Sequence, residues 1–383
     1  MATHPLPPTM SALISDVTPN RSHVHFKLIT TTPTPQITTP TDIIIRMDAA
    51  PMNPSDIGVI FGASTRNNAT QESSTCISSP IPNHLKHTFE KDQYGNSRDG
   101  GILCGNEGAG VVVAAGSSQE AQQLLGKVVA VFGSGGCYAQ YRKASARGRS
   151  INVMHPGTTP MQAASAYVNP LTALGMLSTA KMEGHGAVIH TAAASQLGQM
   201  MVKICAADHF PLINIVRRQA QVELLHSIDA NAVVLNQSLP NFELELVKAV
   251  KSIGATIAFD ATGGGALSSQ LLNAIDAAGL VQPGKQLYNY GALDTSPSTM
   301  TKDQKNRTSF WLLPLWGSKN KNKFKQNMKR VRDEIHTIFA THYTAKVPLL
   351  QAVDLNALKV FGQQKTGSKY LLVPNAGGGF SKL

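Results

Sequence analysis

Between residues 187 and 290 the chain alternates short apolar runs with helix-like stretches, and this order constrains the fold more than any other feature. The apolar runs occupy residues 187–190, 212–216, 232–235, 256–259 and 286–290. Helix-like stretches fill the gaps at 196–207, 219–227, 242–252 and 266–278. Strict alternation of β and α predicts a parallel, doubly wound sheet with right-handed crossovers. Upstream, β-like segments at 43–47, 109–115, 127–132 and 138–142 are punctuated by Gly clusters and predict a small all-β unit. The Thr/Pro-rich run 30–41 reads as an exposed hairpin connection, since each Pro removes a backbone donor. Residues 65–101 are polar, with few periodic apolar positions, and read as a long inserted loop. A terminal strand is expected at 370–373. A length of 383 residues suits two domains.

The first strand of the α/β region runs straight into a turn and a helix. A dinucleotide fingerprint reads G-x-G-x-x-G at such a place, and this chain has Ala193, Ser195 and Gly198. Small residues keep a pyrophosphate's approach open, and the N-terminus of the following helix offers free N–H groups to an anion. A tightly packed strand-to-helix turn explains the same residues without any ligand. The second strand ends in Arg217 and Arg218, where an NAD enzyme would carry an acid for the ribose 2′-hydroxyl. Two cations ahead of a helix oppose its dipole, by a few tenths to ~1 kcal/mol. A 2′-phosphate held in a guanidinium fork resolves that conflict; solvated surface arginines are the competing reading.

Several segments, in order along nearly the whole chain, resemble the zinc-free branch of the medium-chain dehydrogenase/reductase superfamily, the quinone oxidoreductases and enoyl thioester reductases. They are APMNPSD (50–56), GNEGAG (105–110), VNPLTA (168–173), the AxSxxG turn, NIVRR (214–218), YG (290–291), SFWL (309–312) and GSKYLLVP (367–374). The resemblance implies a discontinuous GroES-like β domain, residues 1–160 and 318–383, around a Rossmann domain at 161–317, with the active site in the cleft. It implies NADPH contacts at Asn169, Thr172, Ala194, Ser195, Gln196, Leu197, Gly198, Arg217, Arg218, Tyr290, Gly291, Phe310, Leu312 and Lys369. It places Asn53, Asp56 and Trp311 at the reacting centre. Asn53 and Asp56 also suit a turn or helix cap, and Phe310, Trp311 and Trp316 suit a core.

The implied activity is NADPH-dependent hydride transfer to a C=C conjugated to a carbonyl, or to a quinone. No metal is expected. Zinc alcohol dehydrogenases have Gly-His-Glu where this chain has Gly105, Asn106 and Glu107, and its four cysteines, with no CxxC, assemble neither thiolate nor imidazole ligands. A zinc enzyme with unusual ligands is the weaker alternative. The enoyl reductases carry a catalytic Tyr shortly after the NPSD segment; this chain reads IFGAST (60–65) there, with Tyr94 further on in the inserted loop.

Of a formal charge of +11, seven cations fall between Lys319 and Arg332. A solvated loop leading into a helix explains them; a non-catalytic, crystallin-like or RNA-binding role is the alternative, although Phe324 is the one aromatic there to stack on a base. The family commonly dimerises through the Rossmann sheet edge, expected near residues 286–291. No apolar run reaches membrane-spanning length, and residues 1–21 lack a basic segment followed by an apolar block, so a cytoplasmic location is the default.

Overall fold

A computed structural model of the chain describes residues 5–62, 68–92, 95, 97–133, 135–280, 284–294, 296–356, 358, 369–375 and 381–382. Tyr94, Gly367 and Ser368 lie outside the described residues. The chain divides into two compact units. One comprises Met1–Val168, Arg332–His336 and Ala340–Leu383, and the other Asn169–Val331 with Thr337–Phe339.

The first unit is built on strands β1 (Thr9–Val17), β2 (His23–Pro33), β3 (Asp42–Pro51), β4 (Thr70–Ser73), β5 (Cys76–Pro80), β6 (Ile102–Leu103), β7 (Glu107–Ala115), β8 (Val128–Phe132), β9 (Tyr141–Ser145) and β10 (Ile151–Val153). Its short helices are α1 (Pro54–Phe61), α2 (Gln119–Gln122) and α3 (Pro160–Ala163). One sheet runs β4-β5-β2-β1-β6, and a second begins β10-β8-β7-β3 with β9 also pairing β3. Ile43, Ile45 and Met47 of β3 are fully buried in the core shared with Phe26, Val129 and Val131. Helix α1 starts where Pro54 presets φ at the first helical position and stops at Gly62, whose φ of 69° suits a residue without Cβ.

Two expectations for this unit are corrected. The run 30–41 is not all loop: β2 continues to Pro33, which pairs with Thr9 at the end of the β1 ladder, beyond the part of β2 that β5 covers. With one strand edge unpaired, a residue lacking N–H is tolerated. Nor is 65–101 a plain loop. It supplies β4 and β5, which extend the first sheet, and carries Arg98 near its end. That guanidinium donates to Val59 O, Ile60 O and Ser15 Oγ at 2.7, 3.1 and 2.6 Å and sits over the Phe89 ring, anchoring the segment to the end of α1.

The second unit carries α4 (Val168–Met182), β11 (Val188–His190), α5 (Gln196–Ala207), β12 (Leu212–Val216), α6 (Gln219–Ile228), β13 (Val233–Asn236), α7 (Phe242–Ile253), β14 (Ile257–Asp260), α8 (Leu267–Ala277), β15 (Gln286–Asn289), α9 (Lys302–Asn306), β16 (Thr308–Phe310), α10 (Leu313–Lys319) and α11 (Lys321–Asp333). The sheet is parallel throughout in the order β13-β12-β11-β14-β15-β16. Its strands are apolar on both faces because helices cover both; Ile213, Ile215, Ile257 and Leu287 are inaccessible to solvent. The sheet edge is not residues 286–291: β16 pairs outside β15 and is itself the edge. The basic stretch, expected as a loop leading into a helix, is helical from Lys321 onward, and Lys319 closes α10 before it. Three further strands, β17 (Ala345–Pro348), β18 (Tyr370–Val373) and β19 (Ser381–Lys382), return the C-terminal part to the second sheet of the first unit through the β18–β3 pair.

Candidate functional site

Counting from β11, the strand order of the second unit is 3-2-1-4-5-6, so the chain leaves β11 and β14 in opposite directions and opens a crevice beyond their carboxyl ends. The residues there are His190, Thr191 and Asp260. The Asp260 carboxylate is buried and accepts hydrogen bonds from Thr191 Oγ1 (2.7 Å), Ser268 Oγ (2.6 Å), Thr262 Oγ1 (2.7 Å) and the N–H groups of Thr262 and Gly263 (2.9 and 3.2 Å). That donor set replaces its hydration and locks the mouth of the crevice. His190 reaches across β14, its Nε2 2.7 Å from Tyr290 Oη with the rings stacked at 5.6 Å. Burial holds the imidazole down to about 4 and lifts the phenol far above its ordinary range. His190 Nδ1 and Asn289 Oδ1 are buried without a partner at this end of the sheet.

The turn after β11 forms as a close strand-to-helix corner. Ala192 takes a left-handed φ of 51°, a conformation that costs a non-glycine residue about 1 kcal/mol. Ser195 caps α5, its Oγ accepting from Gly198 N at 3.1 Å. A Cβ on Gly198 would lie 2.2 Å from Ala193 O, so only glycine lets the helix approach the strand. Ala194 is buried, while Gln196 and Leu197 present the first helical N–H groups, which have no intrahelical acceptor.

Arg217 and Arg218 follow β12 and are exposed; Arg218 is the N-cap of α6, whose first turn holds no acid. Arg217 lies near Asp294, whose carboxyl is held below its usual range chiefly by Ser296 hydrogen bonds and also by the guanidinium charge. Tyr290 and Gly291 follow β15, and a Gly291 Cβ would sit 2.6 Å from Ala261 O. Phe310, at the end of β16, is 80% exposed, and Leu312 is exposed as well. Trp311 between them is buried, its Nε1 donating to Thr179 Oγ1 at 3.0 Å, with Gly175 leaving room for the indole on α4. Asn169 lies in the first turn of that helix and Thr172 opens the second.

In the first unit Asn53, Asp56 and Lys369 form one buried polar cluster with Glu107, to which motif reading assigned no role. Asp56 accepts from the N–H groups of Asn53 and Asn106, both at 2.7 Å. Asn53 Nδ2 donates to Glu107 Oε1 at 2.9 Å, and Glu107 Oε2 accepts from Tyr167 N and Val168 N, at 3.0 and 2.8 Å. Burial raises the Asp56 carboxyl to about 6. The Lys369 ammonium is buried with no hydrogen-bond partner; desolvation lowers its pKa, and the nearby Glu107 and Asp56 oppose that shift. Among the described residues no group of three or more His, Cys, Asp or Glu is placed to hold a metal ion, and no helix is long and apolar enough to cross a membrane.

No family model matches the chain. It is 26% identical to the mitochondrial enoyl-[acyl-carrier-protein] reductase of Mus musculus over 298 residues, which are 74% of this chain and 68% of that protein. A Mesorhizobium loti protein assigned as an NADPH:quinone reductase superposes with a TM-score of 0.72 at 25% identity, covering 97% of this chain and 100% of that one. The Etr1p complex with NADP and crotonyl-CoA gives a TM-score of 0.66 at 19% identity, covering 96% and 100%. The homologues and structural neighbours of the chain are thus NADPH:quinone reductases and enoyl reductases of the medium-chain dehydrogenase/reductase superfamily.

Proposed function

We propose that the chain is an NADPH-dependent, metal-free oxidoreductase acting on a conjugated C=C of an enoyl or enone compound, or on a quinone. The observation that carries this reading is the basic pair Arg217 and Arg218 at the end of β12, beside a strand-to-helix turn at the switch point of a 3-2-1-4-5-6 sheet. The residues fit the cofactor. The N-terminus of α5 points free N–H groups outward, the guanidinium pair suits a 2′-phosphate, and two buried polar atoms, His190 Nδ1 and Asn289 Oδ1, lack partners where a nicotinamide nucleotide would lie.

In this reading Ala194, Ser195, Gln196, Leu197 and Gly198 hold the pyrophosphate, and Arg217 and Arg218 hold the 2′-phosphate. Asn169, Thr172, Tyr290, Gly291, Phe310 and Leu312 line the rest of the cofactor site in the second unit. When bound, NADPH supplies the hydride. Asn53 and Asp56 serve the reacting centre by fixing the backbone around Asn106 and Glu107, and Trp311 offers a rigid apolar wall. Fixed donors in a dry site stabilise developing enolate charge without reorganising. The protein is mixed with NADPH and either crotonyl thioesters or quinones, and loss of the reduced-nicotinamide absorbance is followed. Turnover with an acceptor of either class is expected; none with any acceptor, despite tight NADPH binding, would refute the enzymatic reading.

A homodimer belongs to the same proposal. Among the described residues the edge strand β16 has one neighbour, and Leu315 beyond it is an exposed apolar side chain, a surface suited to a second copy. The cytoplasm is the proposed compartment; cell fractionation finding the protein in mitochondria, the location in its relatives' names, would overturn that.

A further inference from the structure

Three consecutive glycines, Gly263 to Gly265, follow β14, and the chain beyond β15 packs against them. Leu293 N donates to Ala261 O at 3.1 Å, Asp294 N to Thr262 O at 3.0 Å, and Gly265 N to Ser296 O at 3.4 Å. A Cβ on Gly264 would lie 2.5 Å from both Asp294 O and Ser296 O, and one on Gly265 would lie 2.6 Å from Asp294 Oδ2. The absence of side chains there lets the two segments meet, and their contact sets where Asp294 stands. The carboxylate is itself oriented, because its Oδ1 accepts from Ser296 N at 2.9 Å and from Ser296 Oγ.

Strands β12 and β14 flank β11, so their exits border the turn that opens the nucleotide site. Arg217 leaves the first of these exits, and Asp294 is clamped onto the second. Both side chains are exposed. Ser296 hydrogen bonds hold the Asp294 carboxyl below its usual range, and the Arg217 guanidinium adds to this through its charge, so the group is ionised at neutral pH. An NAD enzyme has its acid at the end of the second strand, accepting from the ribose 2′-hydroxyl. Here that end carries Arg217 and Arg218, and an acid stands within electrostatic reach of Arg217 on another segment. A phosphate drawn to Arg217 therefore enters the field of a like charge that Ser296 holds in place.

We propose, resting on the NADPH assignment above, that Asp294 sets the nucleotide selectivity of this site by opposing the 2′-phosphate that Arg217 attracts. NADPH is held less tightly than the arginine pair alone would hold it, and NADH, with no phosphate there, is indifferent to the charge. At a separation on the order of 8 Å in a water-like dielectric, one carboxylate opposes a phosphate of charge about −1.5 to −2 by about three- to fivefold in affinity. The oxidised nucleotide carries the same phosphate, so the opposing charge also speeds its release.

The test is fluorescence titration of NADPH and NADH into the full chain and its Asp294→Asn and Asp294→Glu variants, at low salt and in about 0.5 M KCl. Asn keeps an oxygen for both Ser296 donors while removing the charge, and Glu keeps the charge. Asp294→Asn is expected to bind NADPH about three- to fivefold tighter than the parent at low salt and less than about twofold tighter at high salt, with NADH affinity held within about twofold. Asp294→Glu is expected to match the parent for both nucleotides. The proposal is overturned by unchanged or weakened NADPH binding in Asp294→Asn, by an equal gain for NADH, or by Asp294→Glu behaving as Asp294→Asn does. Loss of NADH affinity in Asp294→Asn also overturns it, since Asp294 would then be an acceptor for a ribose hydroxyl. A parent chain that binds neither nucleotide refutes the cofactor reading and this proposal with it; a parent that binds NADPH, with no gain in Asp294→Asn, refutes this proposal alone.

Discussion

Replacing Asp56 by Asn tests the buried polar cluster of the first unit through its dependence on pH. In the folded protein burial holds this carboxyl at about 6, against an ordinary value of 3.8. A raised folded value means that the unfolded chain releases its proton first. The native state therefore loses stability as pH rises from about 4 to about 6, and the loss levels off above that. The difference of about 2 pKa units corresponds to about 3 kcal/mol at 1.36 kcal/mol per unit. Asn cannot ionise, so the stability of Asp56→Asn lacks this component, although its Oδ1 can accept from only one of the two backbone donors that the carboxylate serves, Asn53 N and Asn106 N, and its NH₂ faces the other. Urea unfolding followed by circular dichroism, at half-unit steps from pH 4 to pH 7.5, gives the stability of parent and variant. The parent-minus-variant difference is expected to fall by about 3 kcal/mol between pH 4 and 6.5 and then stay level. A flat difference over that range, or one that rises, would refute the assignment of Asp56 as a carboxyl whose ionisation the fold opposes.

Three other outcomes follow from the geometry. Gly198→Ala places a Cβ 2.2 Å from Ala193 O, so α5 must shift by about 1 Å; NADPH affinity by fluorescence titration should fall 10- to 100-fold, with a stability loss of about 1–3 kcal/mol in thermal unfolding. Arg217→Ala with Arg218→Ala should weaken NADPH binding at least tenfold at low salt and leave NADH binding within twofold, a contrast that shrinks as salt is added. Leu315→Asp should convert a dimer to a monomer in light scattering, with the far-ultraviolet spectrum unchanged.

The parallel sheet was legible because strands buried on both faces are continuous apolar runs, as at Ile257 to Phe259, separated by helices of opposite patterning. Strand β16 was not. Three residues, Thr308 to Phe310, carry no period, and missing them moved the expected sheet edge one strand inward. Strands β1 and β2 were passed over because Thr9–Val17 and His23–Pro33 mix polar and apolar residues at their ends. The motifs drew attention to Asn53, Asp56 and Lys369, yet the residue that ties the cluster together, Glu107, stood in a quoted motif without a role. Its partners lie 54, 60 and 61 residues away, a separation that no local pattern reports. His190 was hidden in the same way, since its bond to Tyr290 spans 100 residues.

That pairing governs how the crevice responds to acidity. With the His190 imidazole unable to take up a proton until about pH 4 and the Tyr290 phenol retaining its own far into alkali, this junction is electrically inert wherever a cell would operate. A swing in nucleotide affinity near neutrality then has its source outside these two rings, the ligand's own second phosphate ionisation, near pH 6, among the candidates.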